Sequence, residues 1–276
     1  MLVFAYKIDK ANIQNHKPPT AFVDDLQARG RYTFTRAEVA HAQERSPVAL
    51  EAALRRLKQR GRIASPRRGF YVLVPVEYRQ AGCPPATWFV DDLMQYLGQP
   101  YYVGLLSAAA LHGAAHQQPM VSQVITDRPT RPAVVGRVQI MFHVSRHIEV
   151  IPVVAVQTET GSLRVSTPEA TAFDLIRFAP AAGHLSNVAT VLAELAEKLD
   201  PVVLAALAPS YAVPEVQRLG YLLEQLGEEG LARSLADWLG TQRHRSVLLA
   251  LGQGKGAALL DPRWRVIPNE AVEMDL

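Results

Sequence analysis

The sequence contains a single cysteine, Cys83, and this scarcity excludes an intrachain disulfide. No apolar run approaches the roughly 20 residues of a membrane-spanning helix. Lys7, Asp9 and Lys10 interrupt the first ten residues, so a secretory signal peptide is not expected. Zinc-ribbon spacing and a Gly-x-Ser-x-Gly nucleophile elbow are also missing. These absences favour a cytoplasmic protein, in a reducing compartment, whose fold depends on its hydrophobic core.

Composition and charge point to a globular chain with two unlike parts. Of the 276 residues, 49% are apolar, and the mean hydropathy of +0.02 is typical of a globular protein. Residues 1–80 hold 15 Lys and Arg against 7 Asp and Glu, a net charge of +8, whereas the remainder carries −5. A basic module followed by an acidic one indicates a nucleic-acid reader joined to a second domain.

Residues 46–74 are the most informative stretch, and they open with a helix that has clear start and stop signals. Ser46 suits the N-cap, Pro47 the first helical position and Gly61 the residue after the end. One face is expected to pack on a core, because it repeats apolar residues at helical spacing: Leu50, Ala53, Leu54 and Leu57. The opposite face carries Val48, Ala52, Arg55, Arg56 and Gln59. Arg can pair with guanine and Gln with adenine in the major groove, so we predict that this face and Ser46 contact DNA.

A short basic hairpin follows this helix. Residues 62–65 and 70–74 are predicted to be strands, and Pro66, Arg67, Arg68 and Gly69 form the turn between them. Two arginines at a hairpin tip suit backbone phosphates, which fix position rather than sequence preference. Taken singly, an arginine-bearing helix and a basic turn are also typical of plain solvated surface. Their order along the chain favours DNA binding.

The residues before the helix complete a recognisable pattern. A first helix is predicted from Thr20, a short strand at 32–34, and a second helix at 36–42. Thr35 and Glu38 have the spacing of a capping box. Arg36 and Arg45 lie near the starts of the two later helices and are further candidates for phosphate contacts, with solvated surface as the alternative. We therefore predict an N-terminal arm at 1–19 and a winged helix-turn-helix domain at 20–80.

The rest of the chain reads as a linker at 81–87 and a larger domain at 88–276. Helices are predicted at 88–97 and 101–113, and strands at 121–126, 138–144, 148–156 and 163–166. Thr167 is expected to cap another helix, and residues 185–239 have a helical pattern. Two short apolar runs then flank a glycine-rich loop. The predicted fold class is α+β, with a mixed α/β C-terminal domain whose second half is helical.

Signatures of catalysis and of metal binding are weak. His112 and His116 have the spacing of a metal-binding pair, but Gly113 lies between them and a third ligand is missing. Residues 252–256 are glycine-rich, yet they lack the spacing of a phosphate-binding loop. Glu149, Glu169 and Asp174 would suit a metal-dependent nuclease only if the fold brought them together. We therefore predict no catalytic residue, no metal and no cofactor.

Several segments resemble the antitoxin of AbiE-type (type IV) toxin–antitoxin systems. The resemblance rests on residues 102–113, 163–175 and 217–224, on residues 260–264, and on Asn269. It implies a winged helix that binds repeats in its own promoter and represses it. It also implies that the C-terminal domain counters a nucleotidyltransferase-like toxin, functionally rather than in a stable complex.

Two hypotheses therefore remain at the level of sequence. The first is a DNA-binding autorepressor and antitoxin whose partners are double-stranded DNA and a nucleotidyltransferase-like toxin. The alternative is a DNA-targeted nuclease or nucleotide-handling enzyme with a metal-dependent C-terminal domain, built on Glu149, Glu169, Asp174 and His112. Gathering of these carboxylates into one site would favour the enzyme.

Overall fold

A computed structural model of the chain describes residues 19–43, 46–114 and 120–273. Residue contacts divide the chain into two compact units. The first comprises Met1–Phe89 and Val134–Arg137, and the second comprises Val90–Ala133 and Val138–Leu276. The fold is α+β, as predicted. Across the described ranges, the structure has no helix that is both long enough and apolar enough to cross a membrane.

Helices and strands succeed one another in a mixed order. The helices are α1 (Pro19–Ala28), α2 (Arg36–Gln43), α3 (Pro47–Gln59), α4 (Val90–Leu97), α5 (Leu105–Leu111), α6 (Pro168–Arg177), α7 (His184–Ala196), α8 (Pro201–Leu207), α9 (Val213–Gln225) and α10 (Glu229–Gly240). The strands are β1 (Thr33–Thr35), β2 (Ile63–Arg67), β3 (Phe70–Leu73), β4 (Tyr101–Val103), β5 (Ser122–Thr126), β6 (Ala133–Val135), β7 (Val138–Val144), β8 (Val153–Thr158), β9 (Gly161–Ser166), β10 (Val247–Leu248) and β11 (Val266–Ile267).

The first unit has the element order of a winged helix-turn-helix domain, α1-β1-α2-α3-β2-β3. Its helix starts are those that the sequence predicts. The Ser46 hydroxyl accepts from the Ala49 amide at 3.3 Å at the start of α3. At the start of α2 the Glu38 amide donates to the Thr35 hydroxyl at 3.2 Å, and the Glu38 carboxylate accepts from the Thr35 amide at 2.6 Å. These reciprocal bonds satisfy amide groups that a helix leaves without partners.

An apolar core holds the described part of the first unit together. The apolar stripe of α3, including Leu50, Leu54 and Leu57, packs with residues of α1 and of the sheet. The sheet has the order β1-β3-β2, with both pairs antiparallel. The opposite face of α3 is therefore left on the surface.

The turn of the hairpin is shorter than the sequence suggested. Strand β2 continues through Pro66 to Arg67, which pairs with Phe70, so only Arg68 and Gly69 form the turn. Gly69 has a φ of +81°, a left-handed conformation that glycine adopts without steric cost. The prediction of a four-residue turn was wrong, because the pairing of Arg67 with Phe70 extends the two strands up to a two-residue turn.

The second unit is built on a mixed sheet in which its strands follow the order β7-β5-β4-β9-β8. Strand β4 is antiparallel to β5 and parallel to β9. The prediction of one helix over 101–113 was wrong, because its first three residues form β4 and α5 begins only at Leu105. Aromatic and β-branched side chains favour the strand. The predicted strand at 148–156 is also only partly right, since Ile148–Val150 is a 3-10 turn.

A buried polar cluster lies between β4, α6 and α9. The Asp174 carboxylate, fully buried, accepts from the Tyr102 hydroxyl at 2.9 Å and from the Tyr211 hydroxyl at 3.3 Å. The Arg177 guanidinium donates twice to the Glu215 carboxylate, at 2.9 and 3.0 Å. Burial raises the pKa of Asp174 to about 7, although the two hydroxyls and Arg177 act in the opposite direction. The hydrogen bonds of Asp174 and the Arg177–Glu215 ion pair therefore join these elements within the core.

The chain after α10 closes the core of the second unit. Strands β10 and β11 pair in parallel, and the Trp264 side chain between them is fully buried. The Trp264 indole donates to the Glu224 carboxylate at 2.6 Å, and the Trp264 carbonyl accepts from Gln217 at 2.8 Å. A Cβ on Gly220 would lie 2.0 Å from the Trp264 ring. Gly220 is therefore required for this close approach of ring and helix.

Candidate nucleic-acid interface

The exposed face of α3 carries most of the side chains that the sequence singles out. Ser46, Arg55, Arg56 and Gln59 are exposed, and Ala52 is half-buried. Val48 is 80% exposed. Residues 48, 52, 55 and 59 follow a helical stripe, and Arg56 lies on its flank. The helix therefore presents an apolar start and a basic end to solvent.

The fold adds Arg36 to this face, although Arg36 precedes α3 by more than ten residues. Arg36, at the start of α2, lines one shallow depression together with Val48, Ala52 and Arg55. The four predicted residues thus meet at one place on the surface. Arg45, which was also predicted to contact phosphates, lies outside the residues that the structure describes.

Glu51 lines the same depression, and the sequence reading missed it. Its carboxylate lies 3.7 Å from the Arg36 guanidinium, and the two side chains are 64% and 47% exposed. An ion pair so exposed is weak and is readily exchanged for another partner. The helical spacing contained the signal, because Glu51 lies four residues before Arg55. Lys58 and Arg60 were likewise overlooked, and both are exposed near the end of α3.

The two wing arginines have different surroundings. Arg68 is exposed in the turn, whereas Arg67 is half-buried and its guanidinium donates to the Pro66 carbonyl at 3.1 Å. Burial lowers the pKa of Arg67 from its usual value, but a guanidinium stays charged at neutral pH. Arg68 is therefore the better placed of the two to contact a phosphate.

A backbone hydrogen bond ties the wing to the helices. The Arg36 amide donates to the Gly69 carbonyl at 2.8 Å, so the turn of the hairpin adjoins the first residue of α2. The wing turn and the start of α2 are thereby held at a fixed spacing. Because Arg36 also borders the exposed face of α3, the start of α2 adjoins both this face and the wing turn.

The carboxylates of the enzyme hypothesis have separate structural roles. Glu149 is exposed on a 3-10 turn, and the Glu169 carboxylate accepts from the Asp200 amide at 3.1 Å. Asp174 is enclosed by two tyrosine hydroxyls. His112 contacts the Ser166 carbonyl at 2.7 Å. Within residues 19–43, 46–114 and 120–273, no three His, Cys, Asp or Glu side chains are grouped to hold a metal; His116 lies outside these ranges.

Comparisons with known proteins cover both units. Residues 22–74 match the family model described as "Transcriptional regulator, AbiEi antitoxin". Residues 102–225 match the model described as "AbiEi antitoxin C-terminal domain". A comparison with curated proteins gave no match.

Among solved structures, the chain is similar to the RV2827C protein from Mycobacterium tuberculosis. The TM-score is 0.65 at 14% identity, over 93% of this chain and 91% of that one. Likeness at such low identity shows a shared fold only. The two family models together take in well over half of the sequence, in the same order as the two units. The chain therefore belongs to the AbiEi-type family of antitoxins and transcriptional regulators.

Proposed function

We propose that this protein is a cytoplasmic DNA-binding autorepressor and the antitoxin of a type IV toxin–antitoxin system. It binds repeats in its own promoter through the winged helix, and its C-terminal domain counters a nucleotidyltransferase-like toxin without a stable complex. One observation carries the DNA-binding part of the proposal. The exposed stripe of α3 and the Arg36 side chain border the same depression of a basic unit.

The side chains of this surface fall into two groups, those that contact bases and those that contact backbone phosphates. Helix α3 enters the major groove, where Arg55 pairs with a guanine edge and Gln59 with an adenine edge. Val48 and Ala52 offer apolar contacts to thymine methyl groups. Arg36 and Arg68 contact backbone phosphates on either side, which sets the register but carries no sequence information.

Single arginine substitutions test this division. We expect Arg55→Ala or Arg56→Ala to cost about 1–3 kcal/mol at one operator position, because a base contact is lost there. Arg68→Ala should weaken binding to all sequences alike and make it less dependent on salt, since one phosphate contact is lost. Arg67→Ala should act in the same direction but less strongly, as its side chain is half-buried. Gel-shift titrations on upstream and scrambled DNA, repeated over a range of salt, measure both effects.

A matched control separates these effects from a general loss of charge. Arg233 is an exposed arginine on α10, in the other unit. Arg233→Ala should leave DNA affinity unchanged. If Arg55→Ala, Arg56→Ala and Arg68→Ala bind as the wild type does, the assignment of the interface is wrong.

Removing the acidic side chain of Glu51 should strengthen DNA binding, whereas removing the arginines should weaken it. Glu51→Gln is expected to tighten binding to scrambled DNA by about two- to fivefold, the scale of one exposed charge interaction. The reason is that the Glu51 carboxylate repels phosphates and forms an ion pair with the Arg36 guanidinium, 3.7 Å away, which then competes with a phosphate for Arg36. Fluorescence anisotropy at low salt measures the change, with the exposed Glu197→Gln as the control. Weaker binding of Glu51→Gln to all DNA would show that Glu51 does not face the phosphates.

The antitoxin part of the proposal can be tested apart from DNA binding. A neighbouring nucleotidyltransferase gene, expressed alone, should stop growth, and the full chain should restore it. The doubly substituted chain Arg55→Ala and Arg68→Ala should restore growth as well, because its second unit is unaltered. Failure of the wild-type chain to restore growth would remove the antitoxin role but leave the DNA-binding role standing.

A further inference from the structure

A cleft of about 170 Å³ lies in the second unit, among α6, α7, α9 and the loop that follows β10. Its walls are mostly apolar and include Ile176, Leu185 and Leu249, with the exposed Leu251 at the mouth. Two guanidinium groups also line it, those of Arg177 and Arg218. The cleft lies wholly within one unit and is distant in sequence from the winged helix.

Arg218 is the unusual member of this lining. It is only 9% exposed, and its Nε donates to the Leu248 carbonyl at 2.9 Å. Among the residues that the structure describes, none accepts a hydrogen bond from its two terminal nitrogens. A charge buried to this extent is costly unless it is paired, and burial lowers the pKa of Arg218. The end of the guanidinium, with its fork of N–H donors, remains directed to the cleft.

Two carboxylates, those of Glu215 and Glu270, lie near Arg218, but neither is bonded to it. Glu215 is close enough to favour its charge, but both oxygens of Glu215 are bonded to Arg177 at 2.9 and 3.0 Å. Glu270 lies on the rim, where its carboxylate accepts from Gln253. His184 lies at the rim as well. Arg218 therefore lines the cleft without a bonded carboxylate among the described residues, while Glu270 places a negative charge at the rim.

The outer wall is held in place by Asn269. Its side-chain oxygen accepts from the Ala250 amide at 2.9 Å, and its nitrogen donates to the Ala250 carbonyl at 3.0 Å. This paired contact fixes the loop that faces Arg218. The Arg177 side chain is fixed by Glu215 in the same way. Because the loop and the Arg177 side chain are already held in place, less conformational entropy is lost when a ligand binds.

We propose that this cleft binds a small carboxylic acid with an apolar body. The fork of terminal N–H groups on Arg218 matches the two oxygens of a carboxylate. The Glu270 carboxylate at the rim repels a phosphate dianion more strongly than a monoanion, and the apolar walls suit a hydrocarbon or aromatic body. The site is independent of the DNA-binding surface and of the proposed antitoxin role.

The test uses the full chain and four probes at constant ionic strength: benzoate, phenyl phosphate, inorganic phosphate and benzyl alcohol. Binding is measured by calorimetric titration and by the rise in melting temperature. Benzoate should bind saturably and more tightly than the other three. Arg218→Gln removes the guanidinium fork and should weaken benzoate binding by about tenfold or more, as expected for loss of hydrogen bonds to a charged group.

A second substitution keeps the proposal testable if Arg218→Gln does not fold. Leu251→Glu places a carboxylate at the mouth on an exposed side chain and should weaken benzoate binding severalfold. Leu259→Glu, on an exposed leucine that does not line the cleft, should not. Equal losses in both variants would overturn the proposal. So would benzyl alcohol binding as tightly as benzoate, tighter binding of either phosphate, or no saturable binding of benzoate.

Discussion

Gly220→Ala is expected to lower the free energy of unfolding of the second unit by about 3 kcal/mol or more, at the upper end of what overpacking costs. The added Cβ would lie 2.0 and 2.2 Å from two atoms of the Trp264 ring. The ring has little freedom to move away, because its indole nitrogen is bonded to Glu224 and its own carbonyl to Gln217. Urea unfolding followed by circular dichroism measures the loss.

A second glycine serves as the matched control. Gly230 lies on α10, has no positive φ, and a Cβ there would meet nothing within 4 Å. Gly230→Ala should therefore be neutral or stabilise by up to about 1 kcal/mol, since alanine is the better helix former. In a chain that already carries Trp264→Leu, Gly220→Ala should cost less unfolding free energy than it does in the wild-type chain, because the ring that the Cβ would meet is gone. If Gly220→Ala behaved like Gly230→Ala, the close contact with Trp264 would be refuted.

Arg177→Leu is expected to destabilise the second unit by about 3–5 kcal/mol, the usual cost of breaking a buried ion pair by removing one partner. The Arg177 and Glu215 side chains are each only 15% exposed. Loss of the guanidinium would leave the Glu215 carboxylate accepting from the Ala212 amide, at 2.9 Å, and would remove a cation from beside Asp174. Thermal and urea unfolding measure the change, with Arg233→Leu on the surface as the control.

The loss of unfolding free energy caused by Arg177→Leu should grow as the pH rises through about 7. Burial raises the pKa of Asp174 to about 7, above its ordinary value, and Arg177 partly opposes that rise. In the wild-type chain, this group therefore makes the unfolding free energy fall as the pH rises from about 4 to about 7. Below pH 7 Asp174 is protonated with or without Arg177, so the difference between the two chains appears above it. A deficit independent of pH would show that Arg177 does not act on Asp174.

The double variant Arg177→Leu and Glu215→Leu provides the companion measurement. Removing both charges avoids the buried unmatched carboxylate, so the double variant should lose less stability than Arg177→Leu alone. An equal or larger loss would mean that packing, including the contact of Arg177 with the Tyr211 ring at 4.6 Å, outweighs the ion pair.

The first unit was largely predictable from sequence, because local chemistry decides it. Ser46 and Thr35 cap their helices as expected, and α3 buries the predicted apolar stripe. The second unit was harder to predict. Residues 101–111 combine a strand and a helix within one apolar run, and the change occurs at Gly104, where a Cβ would meet the Ile125 side chain of another strand. Long-range packing of this kind leaves no local period in the sequence.

The candidate interface was predictable only along one helix. Periodicity on α3 was enough to predict that Arg55 and Gln59 face away from the core. It gave no way to know that Arg36 borders the same depression, or that Arg67 is half-buried while Arg68 is not. Those facts depend on how the hairpin returns to the start of α2, through the bond from the Arg36 amide to the Gly69 carbonyl. Whether these side chains contact DNA stays a prediction.

The late position of Trp264 has a consequence for synthesis on the ribosome. The helix that this side chain packs against, α9, is complete some forty residues earlier, so a growing chain carries an open hydrophobic site until Trp264 emerges. Domains generally fold from the N-terminus during translation. The winged helix would then be folded while the second unit is still incomplete, and premature arrest before residue 264 would yield a chain whose second core lacks this side chain.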